Sequence, residues 1–172
     1  WLVPEVALDF ALGLEKTRVR AVLQVAPNPA SDGEAALRLN GDGLVPLEVE
    51  VDGDSVNSWT MEGADLVIPL SGTAHEIAVV TEIDPSANSQ LMGLYASGGM
   101  LCTQCEAEGF RRIAFFPDRP DVLSVYRVRM TGEKAAFPVL LSNGNLAASG
   151  DNADGTHWAE WHDPSPKPCY LF

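Results

Sequence analysis

Val6-Ala7-Leu8-Asp9-Phe10-Ala11-Leu12-Gly13-Leu14 carries a large apolar side chain at every second position, with small or charged residues between them. Period two is the repeat of a β-strand, whose successive side chains leave opposite faces, so this run reads as a strand with one buried face. A second run follows at once. Val19, Ala21, Leu23 and Val25 alternate with Arg18, Arg20 and Gln24, and Pro27-Asn28-Pro29 ends it. Further along, Leu47, Val49 and Val51 are stopped by Asp52-Gly53, a hairpin signal because both residue types tolerate positive φ. A short apolar run at 66–68 is ended by Pro69. Ile77, Val79 and Thr81 alternate with Ala78, Val80 and Glu82; Tyr126, Val128 and Met130 alternate with Val125, Arg127 and Arg129; His157, Ala159 and Trp161 alternate with Trp158, Glu160 and His162. Residues 139–141 lead into Asn143-Gly144, a second hairpin signal. The pattern predicts about eight to ten short strands with turn residues every ~10 positions, hence an all-β chain of mainly antiparallel sheets, sandwich- or saddle-like. Only residues 104–123 lack the alternation. There Glu106-Ala107-Glu108, followed by Phe110, Arg111, Arg112 and Ile113, predicts one or two short helical turns, and Asp118-Arg119-Pro120 reads as a helix cap with proline at the first helical position. No internal repeat or linker divides the chain, so residues 1–172 are expected to form one domain.

The bulk properties bound what this domain does. A chain of 172 residues supports one good core, and 46% hydrophobic with 20% charged residues is the composition of a folded protein. Eleven basic against 24 acidic residues give a net charge of −13, which repels phosphate backbones and argues against nucleic acid as a partner. The same charge favours ligands with a positive group, such as a free amine, although solubility alone is the plainer account. No apolar run approaches the ~20 residues that span a bilayer, so no membrane partner is expected. The three cysteines, Cys102, Cys105 and Cys169, are an odd number and suggest free thiols in a reducing, cytoplasmic setting. The chain opens on Trp1 without a leader-like segment and stops on the apolar residues 169–172, so both ends are expected to be cut points in a longer polypeptide.

Several motifs are tested and set aside. Cys102-Thr103-Gln104-Cys105 has redox or zinc spacing, but no βαβ unit surrounds it and no second ligand pair has matching spacing, so buried or half-buried thiols are expected. His75, His157 and His162 form no His-Glu-x-x-His helix, and His157 and His162 fall on opposite faces of one strand. Asp151, Asp154 and Gly155 lack the spacing of a calcium loop and read as a polar turn. No phosphate-binding glycine loop or serine nucleophile elbow occurs. What remains is Gln104-Cys105-Glu106-Ala107-Glu108. A carboxamide and two carboxylates crowd a loop beside Gly98-Gly99, with Arg111 and Arg112 just after. Loops on a β scaffold are where binding concentrates, and a carboxylate there can hold an ammonium by charge-assisted hydrogen bonds; a solvated loop of Glu–Arg pairs is the alternative.

This segment, with Gln104-x-Glu106-Ala107, Arg111-Arg112 and Asp118-x-Pro120 in order, resembles the amino-terminal domain of zinc aminopeptidases of the aminopeptidase N type, the bacterial branch in particular. Gly93-Leu94-Tyr95, Phe115-Phe116-Pro117-Asp118-Arg119-Pro120-Asp121-Val122, Leu141-Ser142-Asn143-Gly144-Asn145 and Pro166-Lys167-Pro168-Cys169-Tyr170-Leu171-Phe172 extend the likeness, which runs from about Leu37 onward, while the first ~30 residues match only in strand pattern. The resemblance implies antiparallel sheets packed over a thermolysin-like catalytic domain of the same polypeptide, acting on peptides with a free amino terminus. It implies that Glu106 binds the substrate α-amine, that Gln104 lines the first specificity pocket, and that the Glu106–Ala107 peptide is cis. Zinc would be held by the catalytic domain through a Gly-x-Met-Glu-Asn segment and a His-Glu-x-x-His helix, neither of which is in this sequence, so no metal ligand or catalytic residue is assigned here and the chain alone is expected to be inactive. Ser165 departs from the pattern, standing where a larger aromatic is expected. The rival reading is a non-catalytic β-sandwich binding or docking module, with Trp59, Trp158 and Trp161 as a stacking platform.

Overall fold

The two alternating runs at the start of the chain form neighbouring strands. β1 (Leu2–Ala11) and β2 (Thr17–Ala26) pair antiparallel, with Val6 opposite Leu23, Leu8 opposite Ala21 and Phe10 opposite Val19. The structure is a computed structural model and describes residues 1–31 and 35–172. The further strands are β3 (Ala36–Leu39), β4 (Glu48–Val51), β5 (Asp54–Ser55), β6 (Thr60–Glu62), β7 (Asp65–Pro69), β8 (His75–Ile83), β9 (Gly93–Ser97), β10 (Met100–Gln104), β11 (Ser124–Glu133), β12 (Asn145–Asp151) and β13 (Thr156–Lys167). One eight-stranded sheet runs β12-β13-β11-β1-β2-β8-β4-β5, a second runs β3-β7-β6, and β9 and β10 form a hairpin. Every pairing is antiparallel except β1 with β11. The chain is therefore all-β and mainly antiparallel, as its periodicity predicts.

Register places the apolar positions in rows. Val6 faces Leu23 on one side and Tyr126 on the other, Leu23 in turn faces Ile77, and all four are buried. Because side chains alternate, this row and its neighbours fall on one face of the large sheet. Leu37, Leu39, Leu66 and Ile68 from the second sheet, with Phe110, Ile113, Phe115 and Phe116, cover that face and complete the core. The opposite face is polar and laced with cross-strand ion pairs, among them Arg18–Glu48 at 2.6 Å, Arg20–Glu50 at 2.7 Å and Arg127–Glu5 at 2.8 Å. Exposed pairs of this kind are worth under about 1 kcal/mol each, so burial on the inner face dominates stability.

Two turn signals resolve differently. Asp52 and Gly53 both adopt positive φ, 54° and 86°, and join β4 to β5 as the sequence predicts. Asn143-Gly144 does not close a hairpin, and residues 139–141 form no strand. Phe137 and Leu140 instead fold inward to form a small second cluster with Ala159, which leaves no upstream strand for β12 to turn back on. Gly144 is needed for a different reason: a Cβ there would lie 2.4 Å from the His162 carbonyl oxygen on β13. Asp118-Arg119-Pro120 likewise caps no helix. The one helical element in this region is a 3-10 turn at Phe110–Arg112, and residues 119–122 close a simple turn through the Val122 N–H on the Arg119 carbonyl at 3.2 Å.

Leu23 is fully buried and touches strands on both sides, so Leu23→Ala is expected to cost about 2–5 kcal/mol. Urea unfolding of the two proteins measures this; a loss under about 1 kcal/mol would place the core elsewhere.

Candidate functional site

The β9–β10 hairpin turns through Gly98 and Gly99, both at positive φ, and ends with Gln104 opposite Gly93. The chain then reverses direction within a few residues. Cys105 points inward and is buried, whereas Gln104, Glu106, Ala107 and Glu108 are exposed. The Glu106–Ala107 peptide is cis, in agreement with the expectation drawn from the resemblance. The Gly109 N–H donates to the Cys105 carbonyl at 2.9 Å, closing the turn that carries Glu106. Only glycine fits at 109, since a Cβ would lie 2.4 Å from the Gln104 carbonyl oxygen and 2.9 Å from the Cys105 Cα. Gln104 Nε2 donates to the Glu106 carbonyl at 3.3 Å, so the structure brings the two candidate residues onto one turn. Among the described residues no side chain pairs with the Glu106 carboxylate, which stands free in solvent.

The turn is anchored from behind. Phe110 is fully buried, with its ring centroid 5.1 Å from that of Phe116 and 5.3 Å from that of Phe172. Asp118 is 3% exposed, and its Oδ2 accepts from the Arg111 N–H at 3.1 Å and from Arg111 Nε at 3.0 Å. Arg111 Nη2 donates to the Asp118 carbonyl at 2.9 Å and lies 3.4 Å from Glu108. Asp118 Oδ1 accepts from the Cys169 thiol at 2.9 Å, and its N–H donates to Asn40 Oδ1 at 3.1 Å. Asp118 thus serves as a junction and not as the helix cap its sequence suggests; its partners at 40 and 169 lie too far along the chain to leave a spacing signal.

Next to the loop, an open apolar groove of about 640 Å³ is lined by Leu12, Leu94, Met100, Phe137, Leu141 and Phe172. Its rim exposes unusually large apolar groups, with Met100 at 63%, Val139 at 68% and Leu141 at 72% exposed. Phe172 lies on the same edge as the loop, because Thr103 Oγ1, one residue before Gln104, donates to the Phe172 carbonyl at 3.4 Å.

The remaining sequence candidates are dispersed. Cys102 is half-buried, while Cys105 and Cys169 are buried. Burial, with the Asp118 charge adding to it, pushes the Cys105 thiol up to about 12. Burial followed by the hydrogen bond to Asp118 pushes Cys169 up as well. His75 joins Asp52, at 2.7 Å, to Ser71, at 3.0 Å. His157 Nε2 donates to the Phe137 carbonyl at 2.6 Å. Trp158 lies under the Arg129 guanidinium at 4.2 Å, whereas Trp161, on the other face of β13, donates to the Leu140 carbonyl at 3.2 Å, so the two share no platform. Among the described residues no three His, Cys, Asp or Glu side chains converge as a metal-holding group. Among the same residues no helix is long and apolar enough to cross a membrane.

The sequence profile of the Peptidase M1 N-terminal domain matches residues 47–171. The chain belongs to this family. The M1 amino-terminal domain seen here is 45% identical over 170 residues to aminopeptidase N of Escherichia coli strain K12, covering 99% of this chain and 19% of that protein. It is 48% identical over 167 residues to aminopeptidase N of Caulobacter vibrioides, covering 96% of this chain and 19% of that one. It thus spans about a fifth of the length of these curated relatives. Among solved structures, Legionella pneumophila aminopeptidase A in complex with aspartic acid superposes with a TM-score of 0.92 at 31% identity, over 99% of this chain and 20% of that one. An M1 zinc metallopeptidase from Deinococcus radiodurans shares the fold, with a TM-score of 0.82 at 16% identity over 98% of this chain and 40% of that one.

In the folded domain, DTNB at about pH 8 is expected to react promptly with Cys102 alone, and with Cys105 and Cys169 only after denaturation, because burial keeps those two thiols protonated. Three fast-reacting thiols in the native protein would contradict the packing around Asp118.

Proposed function

We propose that this domain caps the active site of a zinc aminopeptidase, in which Glu106 receives the α-amine of a peptide substrate and Gln104 lines the pocket for the first side chain. The observation that carries this reading is the Glu106 carboxylate, free in solvent on a turn held at both ends. An exopeptidase has to tell a chain end from a chain interior, and only the end carries an ammonium group. A carboxylate at fixed position measures that end. At 4 Å the attraction is about 1 kcal/mol in bulk water and about 4 kcal/mol in the partly screened environment of a cleft, so closing the site strengthens the contact. It also sets the scissile carbonyl at a fixed distance from the chemistry, which lowers the entropic part of the barrier.

The chemistry belongs to a catalytic domain of the same polypeptide, which supplies zinc to polarise the carbonyl and activate water. The groove beside Phe172, with Met100, Val139 and Leu141 on its rim, offers the apolar face such a domain would cover. The aminopeptidase names of the relatives support the activity, and the three free thiols suit a cytoplasmic enzyme. A binding module built on a tryptophan platform has less support, since Trp158 and Trp161 are engaged on opposite faces.

Incubated with zinc and an aminoacyl chromogenic substrate, the purified domain is expected to give no turnover above the blank; measurable turnover would overturn the division of labour. In the full-length enzyme, Glu106→Gln keeps the shape but loses the ion pair, and kcat/KM is expected to fall roughly 10- to 100-fold. Unchanged kinetics would remove Glu106 from its role.

A further inference from the structure

Asp118 is the most deeply buried carboxylate among the described residues, and the amine-binding reading assigns it no part. Its side chain is 1% exposed and joins three segments remote in sequence. Oδ2 takes the Arg111 backbone N–H and Nε, Oδ1 takes the Cys169 thiol, and its own N–H is held by Asn40. Asn40 is fixed in turn by backbone bonds to Phe116 in both directions, at 2.9 and 3.2 Å. Arg111 is the first residue after Phe110, where the turn bearing Glu106 re-enters the core, and its guanidinium reaches back to Glu108. The turn therefore has two supports. One is the short Cys105–Gly109 hydrogen bond, and the other is Arg111 clamped on Asp118.

We propose that Asp118 is a positioning residue for the amine contact: acting through Arg111, its carboxylate sets the direction in which Glu106 projects. This rests on the reading of Glu106 given above. A carboxylate that only stabilised the fold needs no particular link to the turn, yet both nitrogens that Oδ2 accepts from belong to the residue that carries the turn into the core. The guanidinium fork matters as much as its charge, because Nε binds the carboxylate while Nη2 binds the Asp118 carbonyl, fixing the plane of the group. Loss of the charge at 118 would weaken the hold on Nε and leave the guanidinium held only by the Asp118 backbone carbonyl and exposed Glu108, loosening its plane and letting the Glu106 carboxylate wander. An ammonium meeting a wandering carboxylate binds less well, while steps after binding are less affected.

The test is a double-mutant cycle in the full-length enzyme with Asp118→Asn, Glu106→Gln and both together, assayed on an aminoacyl chromogenic substrate. Alone, Asp118→Asn is expected to lower kcat/KM about tenfold, mostly through a higher KM. On top of Glu106→Gln the same change is expected to cost less than about twofold, because the group it positions no longer grips the amine. An equal loss in both backgrounds, or no loss in either, overturns the proposal while leaving the role of Glu106 intact. A Glu106→Gln enzyme with native kinetics overturns the amine-binding reading itself, and the positioning role with it. Should Asp118→Asn fail to accumulate folded, Arg111→Lys replaces it in the same cycle. That variant keeps a cation beside Asp118 but cannot form the fork, and the same background dependence is expected of it.

Discussion

Val6 lies opposite Leu23 on one side and Tyr126 on the other, and the second of these pairings constrains the whole domain. β1 and β11 are parallel, so the chain between them cannot return by a tight turn. It makes an excursion that holds most of the other strands, the second sheet, the β9–β10 hairpin and the Glu106 turn. The end of that excursion must come back over the inner face of the sheet it left. Residues Phe110, Ile113, Phe115 and Phe116 do this, and Thr81 Oγ1 on β8 donates to the Ile113 carbonyl at 3.1 Å beneath them. The Glu106 turn sits at the domain edge because its next residues are required in the core.

Charge is used in two ways. On the outer face, pairs such as Arg18–Glu48 and Lys16–Glu82 are wet and numerous, and each contributes little. Among the described residues Asp118 alone is nearly fully enclosed while it faces a guanidinium, and removing one partner of such a buried pair costs far more than breaking a surface one. Of the acidic residues behind the net charge of −13, Asp118 is the one buried among the described residues, and it lies where the Glu106 turn re-enters the core.

The fold class was legible because strand periodicity is a local property. Val19 through Val25 show it as clearly in the sequence as in the structure, and Asp52-Gly53 form the predicted turn because two positive φ values are a demand on two adjacent residues. The cluster Gln104, Glu106 and Glu108 was legible too, since a carboxamide and two carboxylates fall within five residues between a glycine pair and Arg111-Arg112. Asn143-Gly144 shows the limit. The dipeptide permits a hairpin, but a hairpin also needs a preceding strand, and Phe137 and Leu140 are instead buried beside Ala159.

The sequence by itself determined that this chain is all-β and that the exposed polar groups between β10 and the first 3-10 turn belong to one loop, because both follow from the order of neighbouring side chains. Only the tertiary structure decided that Asp118 meets Arg111, Asn40 and Cys169. It alone decided that Phe172 packs edge-to-face against Phe110 at the edge where Glu106 emerges. Those contacts join residues distant along the chain, and their geometry is set by how the sheets close over the core, which no local spacing encodes.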